Sequence, residues 1–159
     1  MTPLRGSLRL ARASDLPRLG ELWIEIAAHH SSLDPLFTLR PDAEPEVQRL
    51  FTALFDDPDA AVFVWEAPDD LLGFCAVRID RAPPILQETR RAEITDLGVS
   101  AAARRGGIGR ELAAAAFAWA KDRGIPRLEV RVAARNREGQ AFWRSLGFDD
   151  LMDVLHRKM

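Results

Sequence analysis

At 159 residues the chain is long enough for one hydrophobic core and too short for two ordinary domains, so a single domain over 1–159 is expected. Hydrophobic residues make up 47% and charged residues 29%, the balance of a folded globular chain and not of a disordered one. With 22 basic against 24 acidic side chains the net charge is −2, which argues against nucleic acid and anionic membranes as partners and favours small-molecule chemistry.

No apolar run approaches a membrane span, and the stretch Met1-Thr2-Pro3-Leu4-Arg5-Gly6 lacks the apolar core of a signal peptide, so the cytoplasm is the expected compartment. Cys75 is the one cysteine, between Phe74 and Ala76 in an apolar run, and is expected to be a buried, inert thiol. The three histidines have no metal-ligand spacing, and no metal is expected.

Leu8 to Arg12 alternates as a half-buried strand. Ser14-Asp15 followed by Pro17 starts a helix whose apolar stripe runs Leu16, Leu19, Leu22/Trp23, Ile26 and on to His30, before a polar loop from Ser31 to Pro41. A second helix, about Glu44 to Phe55, would bury Val47, Leu50, Phe51 and Leu54. Ala61–Trp65 and Leu71–Arg78 read as strands of a hairpin joined by Pro68-Asp69-Asp70. A longer loop with Pro83-Pro84 leads into a strand from Ala92 to Val99. A helix from Arg110 to Arg123, with Leu112, Ala115, Ala116 and Trp119 on one face, stops at Gly124. Arg127–Val132 reads as a strand, Asn136–Leu146 as a helix ended by Gly147, and Asp153–Lys158 as a terminal strand that includes His156. The order βααβββαβαβ predicts an α/β domain, a mixed sheet with helices on both faces.

The segment from Asp96 to Leu112 carries the most functional information, because it runs from a strand through a glycine-rich turn into a helix. Gly106, Gly107 and Gly109 let backbone approach a ligand without Cβ obstruction, and the N–H groups of a helix's first turn attract anions. The turn is no nucleotide-triphosphate loop, having no Lys-Ser or Lys-Thr after its last glycine, and it lacks the dinucleotide spacing of three glycines.

Arg104-Arg105-Gly106-Gly107-Ile108-Gly109 resembles the Arg/Gln-x-x-Gly-x-Gly/Ala signature of the GCN5-related N-acetyltransferases. The strand pair Leu97-Gly98-Val99 before it is similar to the family's, as is the helix after it. Asn136 with Ala141-Phe142-Trp143-Arg144-Ser145-Leu146-Gly147-Phe148 resembles a second family element. These motifs cover about the last two fifths of the chain, and the front half matches in its order of elements. The resemblance implies one domain with a mixed, mostly antiparallel central sheet flanked by helices, and direct acetyl transfer from acetyl-CoA to a primary amine of a small molecule or peptide. Exposed strands of this fold often pair, so a homodimer is the expected assembly.

Carried over residue by residue, the resemblance places CoA along Leu97, Gly98 and Val99, at the turn Arg104, Arg105, Gly106, Gly107, Ile108, Gly109 and Arg110, and beside Asn136 and Trp143. The N–H of Leu97 would meet the thioester carbonyl and Val99 the pantetheine arm. A free alkyl amine titrates near ~10.4, so a base assists it at neutral pH. The resemblance makes Glu93 the candidate catalytic base, since it stands at the same distance before the turn as the catalytic glutamate of the family's histone-acetylating branch, with Asp96 as second choice; the structural alternatives are an exposed Glu93 paired with Arg90 or Arg91 and an Asp96 bonded to backbone. Arg104 and Arg105 are either phosphate ligands or solvated charges, and Asn136 is either a CoA ligand or a helix N-cap.

The family's thiolate-protonating tyrosine falls at Trp143, yet the chain contains no tyrosine. An indole does not ionise in the useful range, so Trp143 is a packing residue or a wall beside the thioester. Trp23 and His30, with His29 and Asp34 nearby, lie where the family places its acceptor pocket; His30 alternatively caps its helix. The missing tyrosine also motivates a rival reading, a non-catalytic or weakly catalytic acyl-CoA sensor. Transfer of a longer acyl group to protein is a third.

Overall fold

The computed structural model describes residues 4–159. Its elements run β1 (Ser7–Leu10), α1 (Leu16–Leu33), α2 (Ala43–Asp56), β2 (Ala60–Glu66), β3 (Leu71–Arg81), β4 (Arg90–Val99), α3 (Ile108–Asp122), β5 (Leu128–Val130) and α4 (Arg137–Ser145). Short 3-10 turns at Ala13–Asp15, Pro35–Phe37 and Ala101–Ala103 join them. The five strands form one sheet in chain order. β1 to β4 are antiparallel, and β5, reached through α3, lies parallel to β4. The sheet is thus mixed and mostly antiparallel, as expected.

Strand alternation sorts the core into two layers. Val62, Val64, Phe74 and Ala76 face α1 and α2, where Leu19, Leu22, Val47 and Phe51 close the layer. The Phe51 and Phe74 rings meet edge to face at 5.5 Å. Cys75, Val77, Ala92 and Ile94 face the other way, onto Ile108, Leu112, Ala116 and Trp119 of α3 and Trp143 of α4. Full burial of a Val, Leu, Ile or Phe among them contributes about 1.5–3 kcal/mol of hydrophobic stabilisation. Burial also pushes the Cys75 thiol well above its ordinary pKa, which makes it the inert core residue its surroundings suggested.

Asp15 ties the front of the chain together. Its carboxylate accepts from the Arg12 N–H at 2.7 Å, just ahead of α1, and from both Nη atoms of Arg9 on β1. Arg9 also donates to Glu66 on β2.

Three expectations need correction. Residues 153–158 form no strand: the segment is exposed and without regular structure, His156 included. Its apolar pattern is confined to the adjacent Val154 and Leu155, and its neighbour in the sheet would be β5, which is three residues long. Leu50 is 55% exposed on the outer side of α2, while Val47 and Phe51 face inward. Ala115 is partly buried, and Ala113 and Ala120 take the tighter positions against the sheet. Gly124 and Gly147 end their helices with φ of 67° and 91°, as anticipated.

Candidate active site

One irregularity shapes the site. β3 and β4 pair Cys75 with Leu97 and Ala76 with Asp96, and then Val77 with Ile94, so Thr95 is an extra residue on β4. This β-bulge bends the strand and resets its alternation. Ile94 and Leu97 therefore both face the α3 layer. On the α1 side, Asp96 meets Trp23, and Gly98 lies so close to α1 that a Cβ there would fall 1.7 Å from Ile26 Cδ1. The same reset puts Glu93, opposite Arg78, on the α1 side as well.

β4 and β5 pair only from Ala92↔Leu128 to Ile94↔Val130, and beyond that point the two chains part. Ser100 N–H donates to the Leu72 carbonyl at 2.8 Å, toward β3. Alternation then points the N–H groups of Leu97 and Val99 the opposite way, into the gap that opens where β5 has ended. Leu97 has the position of a donor aimed into a cleft.

A cavity of about 810 Å³ fills that gap. Thr95, Asp96, Leu97, Gly98 and Val99 form its floor, and Trp23, Ile26, Ala27, His29 and His30 of α1 form one wall with Leu36–Leu39. Arg104, Arg105 and the start of α3 border one end, and Asn136, Gly139, Phe142 and Trp143 border the side facing α4.

The glycine-rich turn has the backbone that its sequence predicts. Gly107 has φ of 86°, and a Cβ built on it would meet nothing within 4 Å, so the open side of the turn is clear. Arg105, at φ 65°, is the one non-glycine residue with positive φ among the described residues. A strained backbone of this kind is characteristic of ligand-binding turns. Gly107 is the N-cap of α3 and supplies no side-chain cap, which leaves the first N–H groups of the helix facing the cavity end. Gly109 approaches Phe142 to 3.4 Å at its built Cβ, a close packing of α3 on α4. Gly106 lies in the same turn but, unlike its neighbours, is not on the cavity wall.

Arg104 and Arg105 have exposed side chains at the cavity border, and Arg105 lies 4.0 Å from Glu138. Arg110 also borders the cavity and donates to Ser145 Oγ at 2.9 Å. Asn136 is the N-cap of α4, its Oδ1 accepting from Gly139 N–H at 3.0 Å, and it still lines the cavity. The Trp143 ring is buried edge-on between Phe142 and Phe148, with centroids at 5.0 and 5.2 Å. The ring thus packs in the core of the α4 layer and also borders the cavity.

Glu93 is placed differently from expectation. It is 7% exposed, does not line the cavity, and its carboxylate is held by Arg78 Nη2 at 3.1 Å and Arg131 Nε at 3.5 Å rather than by Arg90 or Arg91. Asp96 is the carboxylate in the cavity floor, and its Oδ1 accepts the indole N–H of Trp23 at 2.9 Å instead of a backbone group. His30 contacts the Ile26 carbonyl through Nδ1 at 3.0 Å, which requires Nδ1 to carry the proton and leaves Nε2 as an acceptor. Leu36 and Phe37 were missed in the sequence. They read as part of a polar loop, and only the 3-10 turn, fixed by Asp34 accepting from Leu36 N–H, presents them to the cavity.

The fold recurs in solved structures of low sequence identity. A tetramutant of the BH1408 protein from Bacillus halodurans is 20% identical with a TM-score of 0.86, over 96% of this chain and 99% of that one. The aminoglycoside N-acetyltransferase AAC(6')-Iy in complex with CoA is 16% identical with a TM-score of 0.77, over 100% and 99%. A predicted acetyltransferase with acetyl-CoA from Clostridium acetobutylicum is 18% identical with a TM-score of 0.76, over 97% and 96%. No curated protein sequence matches significantly. The sequence profile of the Acetyltransferase (GNAT) family matches residues 23–148, from the Trp23 wall of the cavity to Phe148 just beyond α4, and the chain therefore belongs to that family.

Proposed function

We propose that the protein transfers an acetyl group from acetyl-CoA to a primary amine, with the Arg104–Gly109 turn holding the pyrophosphate and Asp96 receiving the amine proton. The observation that carries the reading is the floor of the cavity: an unpaired strand edge at Leu97 and Val99, with the Asp96 carboxylate beside it and an uncapped helix N-terminus at one end. The residues suit CoA. Gly107 leaves clear space where a side chain would block a phosphate, and the N–H groups of Ile108, Gly109 and Arg110 supply donors aided by the helix dipole. Arg104 and Arg105 add charge at the rim, and Asn136 keeps its side-chain NH2 as a donor toward the cavity.

When bound, CoA supplies an acetyl thioester. The amine reaches Asp96 as an ammonium, and Asp96 takes a proton and frees the lone pair. Amine nitrogen bonds to the acetyl carbon as the carbon–sulfur bond breaks, and the second nitrogen proton passes to water as the amide forms. The leaving sulfur departs as thiolate and is protonated by water, since Trp143 is no acid and a thiol of pKa near ~8.5 is a tolerable leaving group. The Leu97 N–H stabilises charge on the carbonyl oxygen; a donor of this kind contributes about 2.7–4 kcal/mol at the transition state.

Glu93 acts in this scheme as a positioning residue: clamped by Arg78 and Arg131, it fixes β4 just ahead of the bulge. The absence of tyrosine favours one second reading, an acyl-CoA sensor with little or no turnover. Calorimetry with CoA and a thiol-release assay over a broad amine panel separate the two. Binding with turnover supports the enzyme, and binding without turnover supports the sensor.

A further inference from the structure

The acceptor end of the cavity differs in character from the phosphate end. Trp23, Ile26, His30, Leu36, Phe37 and Leu39 form its walls, and among the described lining residues the carboxylates are Asp96 and Glu138. Glu138 faces Arg105 at the opposite end. Asp34, near the acceptor wall, is used by Leu36 N–H and by Arg135 at 3.6 Å, and Glu25 accepts from Ala101 N–H at 2.8 Å. Asp96 is thus the one carboxylate offered to an entering amine, with Oδ1 taken by Trp23 and Oδ2 remaining. Leu36 and Phe37 are 69% and 41% exposed, apolar side chains turned to the open space of a cavity and not to a core.

We infer that the acceptor is a primary monoamine on an aromatic or aliphatic body, and not a polycation such as a polyamine or an aminoglycoside. This inference rests on the acetyltransferase reading of the site. A single ammonium is neutralised by Asp96 while its apolar body covers Leu36, Phe37 and the Trp23 ring. Each further ammonium of a polycation would enter the same walls without a carboxylate partner, and unpaired desolvated charge opposes binding.

The test is equilibrium binding to the full-length protein saturated with CoA, by calorimetry or ligand-observed NMR, using 2-phenylethylamine and hexylamine against spermidine and kanamycin. The monoamines are expected to bind at least about tenfold more tightly than either polycation. Phe37→Glu, at an exposed position that leaves the core untouched, is expected to narrow that gap by adding a second carboxylate. Polycations that bind as tightly as the monoamines overturn the inference, as does the lack of saturable monoamine binding below about 10 mM. Turnover is scored separately: failure of every amine to release thiol counts against the proposed reaction, whereas the binding order alone decides the acceptor class.

Discussion

The indole N–H of Trp23 on α1 donates to Oδ1 of Asp96 on β4 at 2.9 Å, across 73 residues of sequence. This bond holds the carboxylate in the cavity floor through Oδ1, and Oδ2 is the oxygen to which the proposed reaction brings the amine. Asp96→Asn is expected to lower kcat/KM by ~10²–10⁴ and to shift the rising limb of its pH profile upward, with CoA affinity unchanged by calorimetry. Trp23→Phe keeps the ring and loses the donor, so a smaller loss of rate with the same profile shape is expected. An Asp96→Asn enzyme with wild-type kinetics would move the proton to His30 or to water.

Glu93→Gln separates positioning from catalysis. The pair with Arg78 is buried on the Glu93 side and exposed on the other, so loss of the charge is expected to lower stability modestly, by about 1–2 kcal/mol. The shape of the kcat/KM pH profile should not change. A profile that loses its rising limb would restore Glu93 as the base, the role the family resemblance implies for it.

The placement of these two carboxylates shows where sequence reading stops. In a regular strand Glu93 and Asp96, three residues apart, would face opposite sides of the sheet. The bulge at Thr95 puts them on the same side and turns Asp96 to the cavity, and nothing in Ala92-Glu93-Ile94-Thr95-Asp96 announces a bulge. The backbone of the glycine-rich turn was legible, because Gly107 and the helix after it impose their geometry locally. So were the strand and helix order, from alternation and the stripe of α1. The exposed pair Leu36-Phe37 was not, since two apolar residues in a loop give no period to read. The terminal strand was over-read because residues 153–158 look extended but have too little neighbouring strand to pair with.

Gly98 permits the approach of α1 to β4. With Ile26 Cδ1 1.7 Å from a built Cβ, Gly98→Ala forces Ile26 to shift and is expected to cost about 1–3 kcal/mol in chemical denaturation. Since Ile26 lines the cavity, the KM for the amine should rise as well. Unchanged stability and KM would mean that α1 can slide without consequence for the site.

The Arg9 guanidinium holds the Asp15 carboxyl below its ordinary pKa of 3.8. The sign follows directly: a carboxyl depressed in the folded state stabilises the fold fully above its unfolded pKa and loses that contribution as pH falls through the lower folded value. Asp15→Asn is expected to cost about 1–3 kcal/mol near neutrality, and the gap from wild type should close in acid, below about pH 4. A gap that stays constant on acidification would assign the loss to packing at the start of α1 instead.

The turn predicts its own sensitivity. Gly107→Glu puts a side chain and a negative charge into the space proposed for the pyrophosphate, at a φ of 86° that other residues resist. CoA binding should be abolished in a protein whose thermal unfolding remains cooperative. Normal CoA affinity in that folded variant would remove the turn from the binding site.

The most direct test of acetyl transfer is mass analysis of the amine after incubation of the purified protein with acetyl-CoA and 2-phenylethylamine, alongside thiol release. Acetyl transfer through Asp96 predicts one acetyl group gained per thiol released, with both signals lost together in Asp96→Asn. CoA bound at the turn with no acetylated product from this or any amine of a broad panel would contradict it.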